Sequence, residues 1–311
     1  MGKIAITYTI KNEADLILQN INFHSKLGVD YFFVFLDNNT DNTEQLLRNT
    51  PRLSLRESIK PEELNDNFLS SKFSHQADNH DARRVFNTAW AAQEAKKIGC
   101  EWIISIDADE LVLCNFNKLQ KAEIEPRLNL VDNTVNQVVF RTYEQVPYFV
   151  DKSQGFSPEN EFLTRTPIDL ERSLYDPFSK QNLKLGRSFI GHDAGKTAFR
   201  LSALEDHYPL THRWLKRSDD SPAELIKMNA LLHFYFYDFQ YFKRRFTNYQ
   251  DRSNHSISDY QYPEHILLLI KLCQELSEEE FKEYYKEHIC FKEPPKENFI
   301  KPKVLQDLLK F

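Results

Sequence analysis

Three acidic residues that stand close together have the types and spacing best suited to chemistry. Asp107, Asp109 and Glu110 follow the apolar run 102–106 (WIISI), which is typical of a buried strand. Ligands of open α/β sheets bind beyond the carboxyl ends of strands. If the chain stays extended there, Asp107 and Asp109 share one side and suit a hard divalent cation, which can hold a diphosphate leaving group. Acidic residues also end strands and cap helices without a ligand, so a structural role stays an open alternative.

The segments before this acidic motif predict strands and helices that alternate. Asn12 is predicted to cap the first helix, and Gly28 to end it. Strand–helix alternation of this kind is the pattern of a parallel α/β sheet. The predicted strands are 4–10, 31–36, 53–56 and 101–106, and the predicted helices are 13–26, 44–49 and 81–98.

Beyond Asp107 the alternation stops, and the prediction becomes coarser. We expect a strand at 134–144, loop over 151–185, and mixed strand and turn over 189–201. The aromatic segment 223–247 is predicted to be partly helical, and 265–286 to be one amphipathic helix.

Composition excludes several classes of protein. The chain has 311 residues, 41% hydrophobic and 28% charged, which rules out a mostly disordered chain. Its net charge of −6 rules out a globally basic nucleic-acid binder. Its four cysteines form no CxxC pair and are expected to be free thiols of a reducing compartment. With no signal peptide and no apolar window of about 18 residues, the sequence predicts a cytoplasmic protein.

Several segments together resemble one known family. They are 10–15 (IKNEAD), 22–24 (NFH) with 27–30 (LGVD), 35–43 (FLDNNTDNT), and Trp102 followed by 107–110 (DADE). In this order and spacing they resemble GT-A glycosyltransferases of the family 2 type, specifically the family 2-like 4 and family 92 branch. Later segments also look like family motifs: 195–200 (GKTAFR), 207–209 (HYP), and 232–235 (LHFY) with Phe242-Lys243 downstream.

The resemblance implies an α/β GT-A fold, with a Rossmann-like nucleotide-binding half, a mixed central sheet and a helical C-terminal extension. The catalytic domain would span 1–245 and the extension 246–311. The implied activity is metal-dependent, inverting transfer of a hexosyl-type sugar from a nucleotide sugar, with a UDP-sugar as the expected donor. The acceptor would be a glycan or glycolipid hydroxyl in cell-surface polysaccharide or lipooligosaccharide synthesis. The protein would work at the inner face of the cytoplasmic membrane and bind no nucleic acid.

The resemblance also implies roles for individual residues. Thr9, Lys11 and Glu13 would lie near the base and ribose, and Asp37 would accept a hydrogen bond from one of them. Asp107 and Asp109 would hold the diphosphate through Mn²⁺ or Mg²⁺, and a late histidine, His207 or His233, would complete the metal site. The general base stays open among three carboxylates, namely Glu205, Asp206 and Asp193.

Other charged residues have a plainer interpretation. Arg83 and Arg84 are expected on a solvated helix face, and His75 and His80 in a loop. His233 could equally be a satisfied core histidine. A second set is expected to be surface charge: Lys196 and Arg200, which alternate onto one strand face and could instead steady phosphates, and the basic run 243–245.

Three other functions fit parts of the pattern. A haloacid-dehalogenase-type phosphatase also places DxD after an apolar strand, but it usually has Thr or Val where Glu110 stands. A nucleotidyltransferase would normally show a Gly-rich loop near the first strand, and Gly2 is the only glycine before Gly28. A nucleotide-sugar-binding or scaffold protein that has lost its active site is the alternative outside the enzymes.

Overall fold

The computed structural model describes residues 2–74, 79–117, 123–149, 155–157, 159–163, 173–184, 194–236, 238–250, 264–292 and 299–309. The strands are β1 (Lys3–Ile10), β2 (Tyr31–Leu36), β3 (Leu53–Glu57), β4 (Cys100–Ser105), β5 (Glu110–Val112), β6 (Gln137–Gln145), β7 (Phe162–Leu163), β8 (Ser173–Asp176), β9 (Gln181–Lys184), β10 (Lys196–Arg200), β11 (His207–Pro209), β12 (Trp214–Lys216), β13 (Leu225–His233) and β14 (Phe299–Ile300). The helices are α1 (Ile17–Lys26), α2 (Thr43–Leu47), α3 (Asn67–Phe73), α4 (His80–Lys97), α5 (Glu125–Leu128), α6 (Phe239–Gln250), α7 (Glu264–Glu275), α8 (Glu278–Tyr284) and α9 (Leu305–Leu308).

Ten of these strands form one mixed sheet. Its main order is β14-β7-β6-β10-β4-β1-β2-β3, and β13 joins it by pairing with β6 and β5. Strands β1 to β4 are parallel, and β10 is inserted antiparallel between β4 and β6. Strand β6 therefore runs in the direction of β4, and β13 is parallel to β6. The carboxyl ends of β1 to β4, β6 and β13 meet at one edge, which we call the carboxyl edge; the opposite one is the amino edge.

The parallel strands are buried because helices cover both faces of the sheet. All but the first residue of β1 and of β2 are buried. On one face, Ile6 packs in a cluster with Ile21 of α1; on the other, Ala5 packs with Phe86 and Ala89 of α4. Strands covered on both faces read as continuous apolar runs, which is why sequence alone located these elements within a few residues.

Three local predictions were wrong. Asn12 does not cap α1, because its backbone is left-handed (φ 59°) and its side chain binds the loop after β2 instead. The interval 151–185, predicted as loop, contains β7 and the hairpin β8–β9. The single helix predicted over 265–286 is two helices, because Ser277 caps a new helix with Glu280. The segment 223–247 is partly helical, as predicted: it contains the strand β13 and then the start of α6.

The C-terminal part of the described chain is largely helical, so the predicted fold class is confirmed: a Rossmann-like half with a mixed sheet, followed by a helical region. Helices α6, α7 and α8 share a core that includes Phe242, Leu269 and Phe281. The domain boundary predicted between residues 245 and 246 stays a prediction; α6 runs across it. In the part of the chain that the structure describes, no helix is long and apolar enough to cross a bilayer.

Candidate functional site

The acidic motif forms a tight turn at the carboxyl edge, directly after β4. Glu110 N–H donates to the Asp107 carbonyl (3.2 Å), and Asp107 N–H donates to Glu110 Oε2 (2.8 Å). The chain is therefore not extended here, contrary to the sequence-based expectation. As a result Asp107 and Asp109 have different neighbours.

Asp107 lies between two cations that belong to different elements. Arg84 of α4 donates from Nη2 to Asp107 Oδ1, and Lys196 at the start of β10 places Nζ 2.7 Å from Asp107 Oδ2. Lys196 is 0% exposed, so its ammonium depends on these protein partners. Burial alone would raise the pKa of Asp107, but Arg84 and Lys196 hold it well below the usual range. Asp107 is therefore an ionised anchor for two cations.

Asp109 has its own set of partners, on β13 and α6. Arg245 Nη1 donates to Asp109 Oδ2 (2.7 Å), and His233 Nε2 lies 3.4 Å from the same oxygen. The other ring nitrogen of His233 lies 2.9 Å from Glu144 Oε2 on β6. Burial works against the charge on His233, yet Glu144 and Asp109 together raise its pKa well above the ordinary value. The imidazole thus bridges Asp109 and Glu144.

Glu110 faces inward and is fully buried. Its Oε2 lies 3.5 Å from Lys196 Nζ, while its Oε1 is buried without a hydrogen-bond partner. Burial raises the pKa of Glu110, and Lys196 only partly opposes this. Glu110 therefore closes the turn, as its bond to the Asp107 N–H shows, and also helps to hold Lys196.

Two polar residues of α1 brace the turn from behind. Asn20 Nδ2 donates to the carbonyls of Ala108 (2.9 Å) and Glu110 (2.8 Å). Asn20 Oδ1 accepts from Tyr8 and lies 2.7 Å from His24 Nδ1. The Val112 N–H donates to His24 Nε2 (3.0 Å), so His24 is a neutral imidazole with its proton on Nδ1. This buried network fixes the backbone that carries the two aspartates.

A second polar cluster lies at the ends of β1, β2 and β3. Asp37 accepts from Arg83 Nε (2.5 Å), and its other oxygen lies 2.6 Å from His80 Nδ1. Burial works against ionisation of Asp37, but His80 and Arg83 hold its pKa far below the usual range. Asn87 of α4 donates to Thr9 Oγ1 (3.0 Å) and so adds β1 to the cluster. Asp37, which the sequence analysis expects to bond the base or ribose, therefore already positions Arg83 and His80.

Polar residues also tie the loops after β1 and β2 together. The Asn12 side-chain carbonyl accepts from the N–H of Thr40 (2.7 Å) and of Asp41 (3.2 Å). Glu13 follows in the same loop; its Oε2 is buried without a hydrogen-bond partner and lies 3.5 Å from Arg244. Burial raises the pKa of Glu13 well above its usual range. Lys11, directly before Asn12, is half-buried at the carboxyl edge.

Three predicted site residues lie elsewhere. Strand β10 is antiparallel, so its last residue pairs with Trp102, near the start of β4. The turn that follows carries Glu205 and Asp206 to the amino edge, where Glu205 pairs with Lys96 in the last turn of α4. His207 Nδ1 bonds the Ala203 carbonyl of that turn (2.8 Å). Since Trp102 lies roughly 16 Å along an extended strand from Asp107, the structure does not bring these three residues to the acidic turn.

Other predictions are resolved or fall outside the described residues. Arg200 lies at the far end of β10 from Lys196 and pairs with Glu101 (2.7 Å). His80 is not a loop residue but the first residue of α4. Asp193, the third candidate base, and His75 lie outside the described residues.

Sequence reasoning missed the cations. Arg83, Arg84 and Arg245 were expected on solvated surfaces, but Arg83 and Arg245 each bond a buried carboxylate, and Arg84, itself buried, bonds Asp107. One signal was available for Arg84: it continues a helical stripe of small buried residues with spacings of four, three and four, namely Thr88, Ala91 and Ala95. Glu144 had no signal, because its role depends on the pairing of β6 with β13.

The donor types at the turn would suit a divalent cation, since carboxylates and an imidazole ligate Mn²⁺. Their arrangement does not. Both oxygens of Asp107 are bonded to cations, and Arg245 bonds Asp109. Within the described ranges, no three His, Cys, Asp or Glu side chains converge as a metal cage. The described residues therefore do not fit a resident metal ion.

The chain is similar to proteins described as glycosyltransferase-like. Two from Arabidopsis thaliana are 24% identical over 247 residues and 22% identical over 246 residues, in each case 75% of this chain. These matches cover 47% and 53% of those proteins, so the chain spans about half the length of the curated relatives it matches. Among solved structures, glucosyl-3-phosphoglycerate synthase from Mycobacterium tuberculosis, determined with Mn²⁺, UDP and phosphoglyceric acid, is 13% identical. Its TM-score is 0.36, over 75% of this chain and 70% of its own. The sequence matches no protein-family profile.

Proposed function

We propose that this protein transfers a sugar from a nucleotide-sugar donor to an acceptor hydroxyl. The observation that carries the proposal is the convergence of Arg84, Lys196 and Arg245 on one acidic turn at the carboxyl edge. In open α/β sheets this edge is where nucleotides bind. The similarity to two glycosyltransferase-like proteins supports the same activity.

The donor would lie across the ends of β1, β2 and β4. Its nucleoside would face the cluster of Thr9, Lys11, Glu13 and Asp37. The buried Oε2 of Glu13, which has no hydrogen-bond partner in the described structure and lies 3.5 Å from Arg244, is suited to accept from a ribose hydroxyl. Asp37 would act by holding Arg83 and His80 in place. The diphosphate would lie beside the Asp107 turn, where positive charge can stabilise the leaving group as the bond to the sugar breaks.

The acceptor side is proposed on sequence alone. We propose an inverting transfer, in which a carboxylate removes the proton of the acceptor hydroxyl while the sugar leaves the diphosphate. Of the three candidate bases, Glu205 and Asp206 lie at the amino edge, so Asp193 is the one we retain; it stands three residues before Lys196 in the sequence. The acceptor would be a glycan or glycolipid of the cell surface, reached at the inner membrane face. Mn²⁺ or Mg²⁺, expected from the resemblance, takes no part in this proposal.

The test combines binding and turnover. The purified full chain is titrated with UDP, GDP and CMP by calorimetry, and the matching nucleotide sugars are then assayed for release of the nucleotide. We expect one nucleotide to bind and its sugar to be slowly hydrolysed, faster once a suitable glycan is added. Binding of a nucleotide sugar without any hydrolysis or transfer, across a panel of acceptors, would favour a binding or scaffold protein. No binding of any nucleotide, whether Mn²⁺ is present or not, would contradict the proposal altogether.

A further inference from the structure

Positive charge at the acidic turn is supplied by the protein itself and comes from three separate elements. Arg84 belongs to α4, Lys196 to β10 and Arg245 to α6. All three are restrained by carboxylates of the turn: Arg84 and Lys196 by Asp107, and Arg245 by Asp109. A pair of carboxylates arranged to receive a divalent cation would leave its oxygens open. Here they anchor permanent cations.

The charge balance opposes a further cation at this place. A divalent ion on Asp107 would lie next to both Arg84 and Lys196, and one on Asp109 would lie next to Arg245. Repulsion between like charges is strong where water is largely excluded. The carboxylates cannot simply turn away toward a metal either, because the buried ammonium of Lys196 would lose its closest partner.

The cations also keep hydrogen-bonding capacity for an anion. A guanidinium has five N–H donors, and Arg84 uses one of them, on Nη2, to bond Asp107. Arg245 Nε is buried and has no hydrogen-bond partner in the described structure. A diphosphate carries several acceptor oxygens, which arginine binds with a planar, forked set of donors. The geometry thus offers donors where a metal-dependent site would offer acceptors.

We propose that Arg84 and Arg245 bind the donor's diphosphate directly, with the buried charge of Lys196 beside them, so that nucleotide binding does not require a divalent cation. This inference rests on the proposed function and deepens it. Asp107 and Asp109 act in it as positioning residues: they hold the cations in place rather than ligating a metal.

The experiment measures the affinity of the full chain for UDP, GDP and CDP by calorimetry, once with a chelator and once with Mn²⁺. The variants are Arg84→Gln, which removes the charge, and Arg84→Lys, which keeps the charge but loses the fork. Lys96→Gln, on the last turn of the same helix and paired with Glu205, is the matched control. Thermal unfolding confirms that each variant is folded, and titration with the free nucleoside separates loss of diphosphate contacts from a general disturbance of the site.

We expect the wild-type affinity for the diphosphate to change by less than about threefold between chelator and Mn²⁺. Arg84→Gln should weaken it by at least about tenfold, since hydrogen bonds to charged groups are the strong ones. The diphosphate affinity of Arg84→Lys should lie between those of the wild type and Arg84→Gln, and that of Lys96→Gln should match the wild type. The affinity for the free nucleoside should stay unchanged in all variants. Binding that appears only with Mn²⁺, or equal affinities of wild type and Arg84→Gln, would overturn this inference while leaving the proposed function intact. Only a failure of every nucleotide to bind, with and without metal, would contradict the proposed function as well.

Discussion

The carboxyl and amino edges of the sheet both carry paired charges, but the pairs differ in burial and in whether they converge on one turn. At the carboxyl edge, Lys196 is fully buried and Asp109 almost so, and the cations converge on one turn. At the amino edge, the pair Lys96–Glu205 has side chains that are 40% and 87% exposed. The same residue types therefore do different work: exposed pairs contribute little to stability, whereas buried pairs fix the geometry of a site and are costly to break.

The largest effect is expected from Asp109→Ala. Removing this carboxylate leaves Arg245 and His233 without their shared partner in a buried place. Loss of one member of a buried ion pair typically costs about 3–5 kcal/mol of unfolding free energy, to be measured by urea denaturation. Glu205→Ala at the amino edge is the control and should change stability by less than about 0.5 kcal/mol. Equal effects of the two substitutions would show that the edges do not differ as described.

Lys196→Met should have a somewhat smaller effect that depends on pH. The substitution keeps the volume but leaves Asp107 and Glu110 without their buried cation, so we expect a loss of about 3 kcal/mol at neutral pH. Burial already raises the pKa of Glu110. Without Lys196 the folded state should take up a proton more readily than the unfolded one, so part of the loss should be recovered as the pH falls toward about 4.3, the ordinary glutamate value. Lys96→Met should be nearly neutral at every pH; a pH-independent loss in Lys196→Met would argue against the buried carboxylates as its cause.

His24 predicts a moderate pH effect behind the acidic turn. Burial lowers the pKa of His24 to about 3, whereas the unfolded chain should titrate near 6.5. Between these values the unfolded state binds the extra proton, so stability is full above about pH 6.5 and falls below it, by at most about 1.4 kcal/mol per pH unit from this group. Unfolding measured from pH 7 down to about 5 should show a shallower slope in His24→Gln, whose amide can still accept from the Val112 N–H. Identical slopes would remove His24 as the source.

The smallest effect is expected from Glu205→Gln and Asp206→Asn. Both residues lie at the amino edge, so neither change should alter sugar-nucleotide turnover by more than about twofold. Loss of a general base would instead lower it by about a hundredfold or more. The measurement is the rate of nucleotide release with the donor identified by calorimetry. A drop of that size in either variant would indicate that the reacting centre lies at the amino edge.

The sequence predicted the first half of the fold well and the site only in part. Runs such as 4–10 and 31–36 are apolar on both faces because α1 and α4 cover both faces of the sheet. The local sequence alone therefore indicates that these strands are buried. The acidic turn was predicted from its place at the end of such a run. The location of Glu205 and His207 was not, because it depends on β10 being antiparallel, and periodicity carries no information on strand direction. For Arg84 the stripe of small residues that it continues on α4 was a local sign that it does not lie on a solvated helix face.

Helix α6 connects the acidic turn with the C-terminal helices. Its aromatic side, with Phe242 and Phe246, is packed among these helices, while Arg244 and Arg245 bind Asp15 and Asp109. Thermodynamic linkage is reciprocal: if α7 and α8 open together with α6, a ligand that stabilises the Arg245–Asp109 pair shifts that opening equilibrium toward the closed state. Hydrogen exchange in these two helices would then report occupancy of a site that neither of them lines. For the same reason, a chain cut after residue 245 would lose the last five residues of α6 and, with α7 and α8, the packing partners of the helix that carries Arg245.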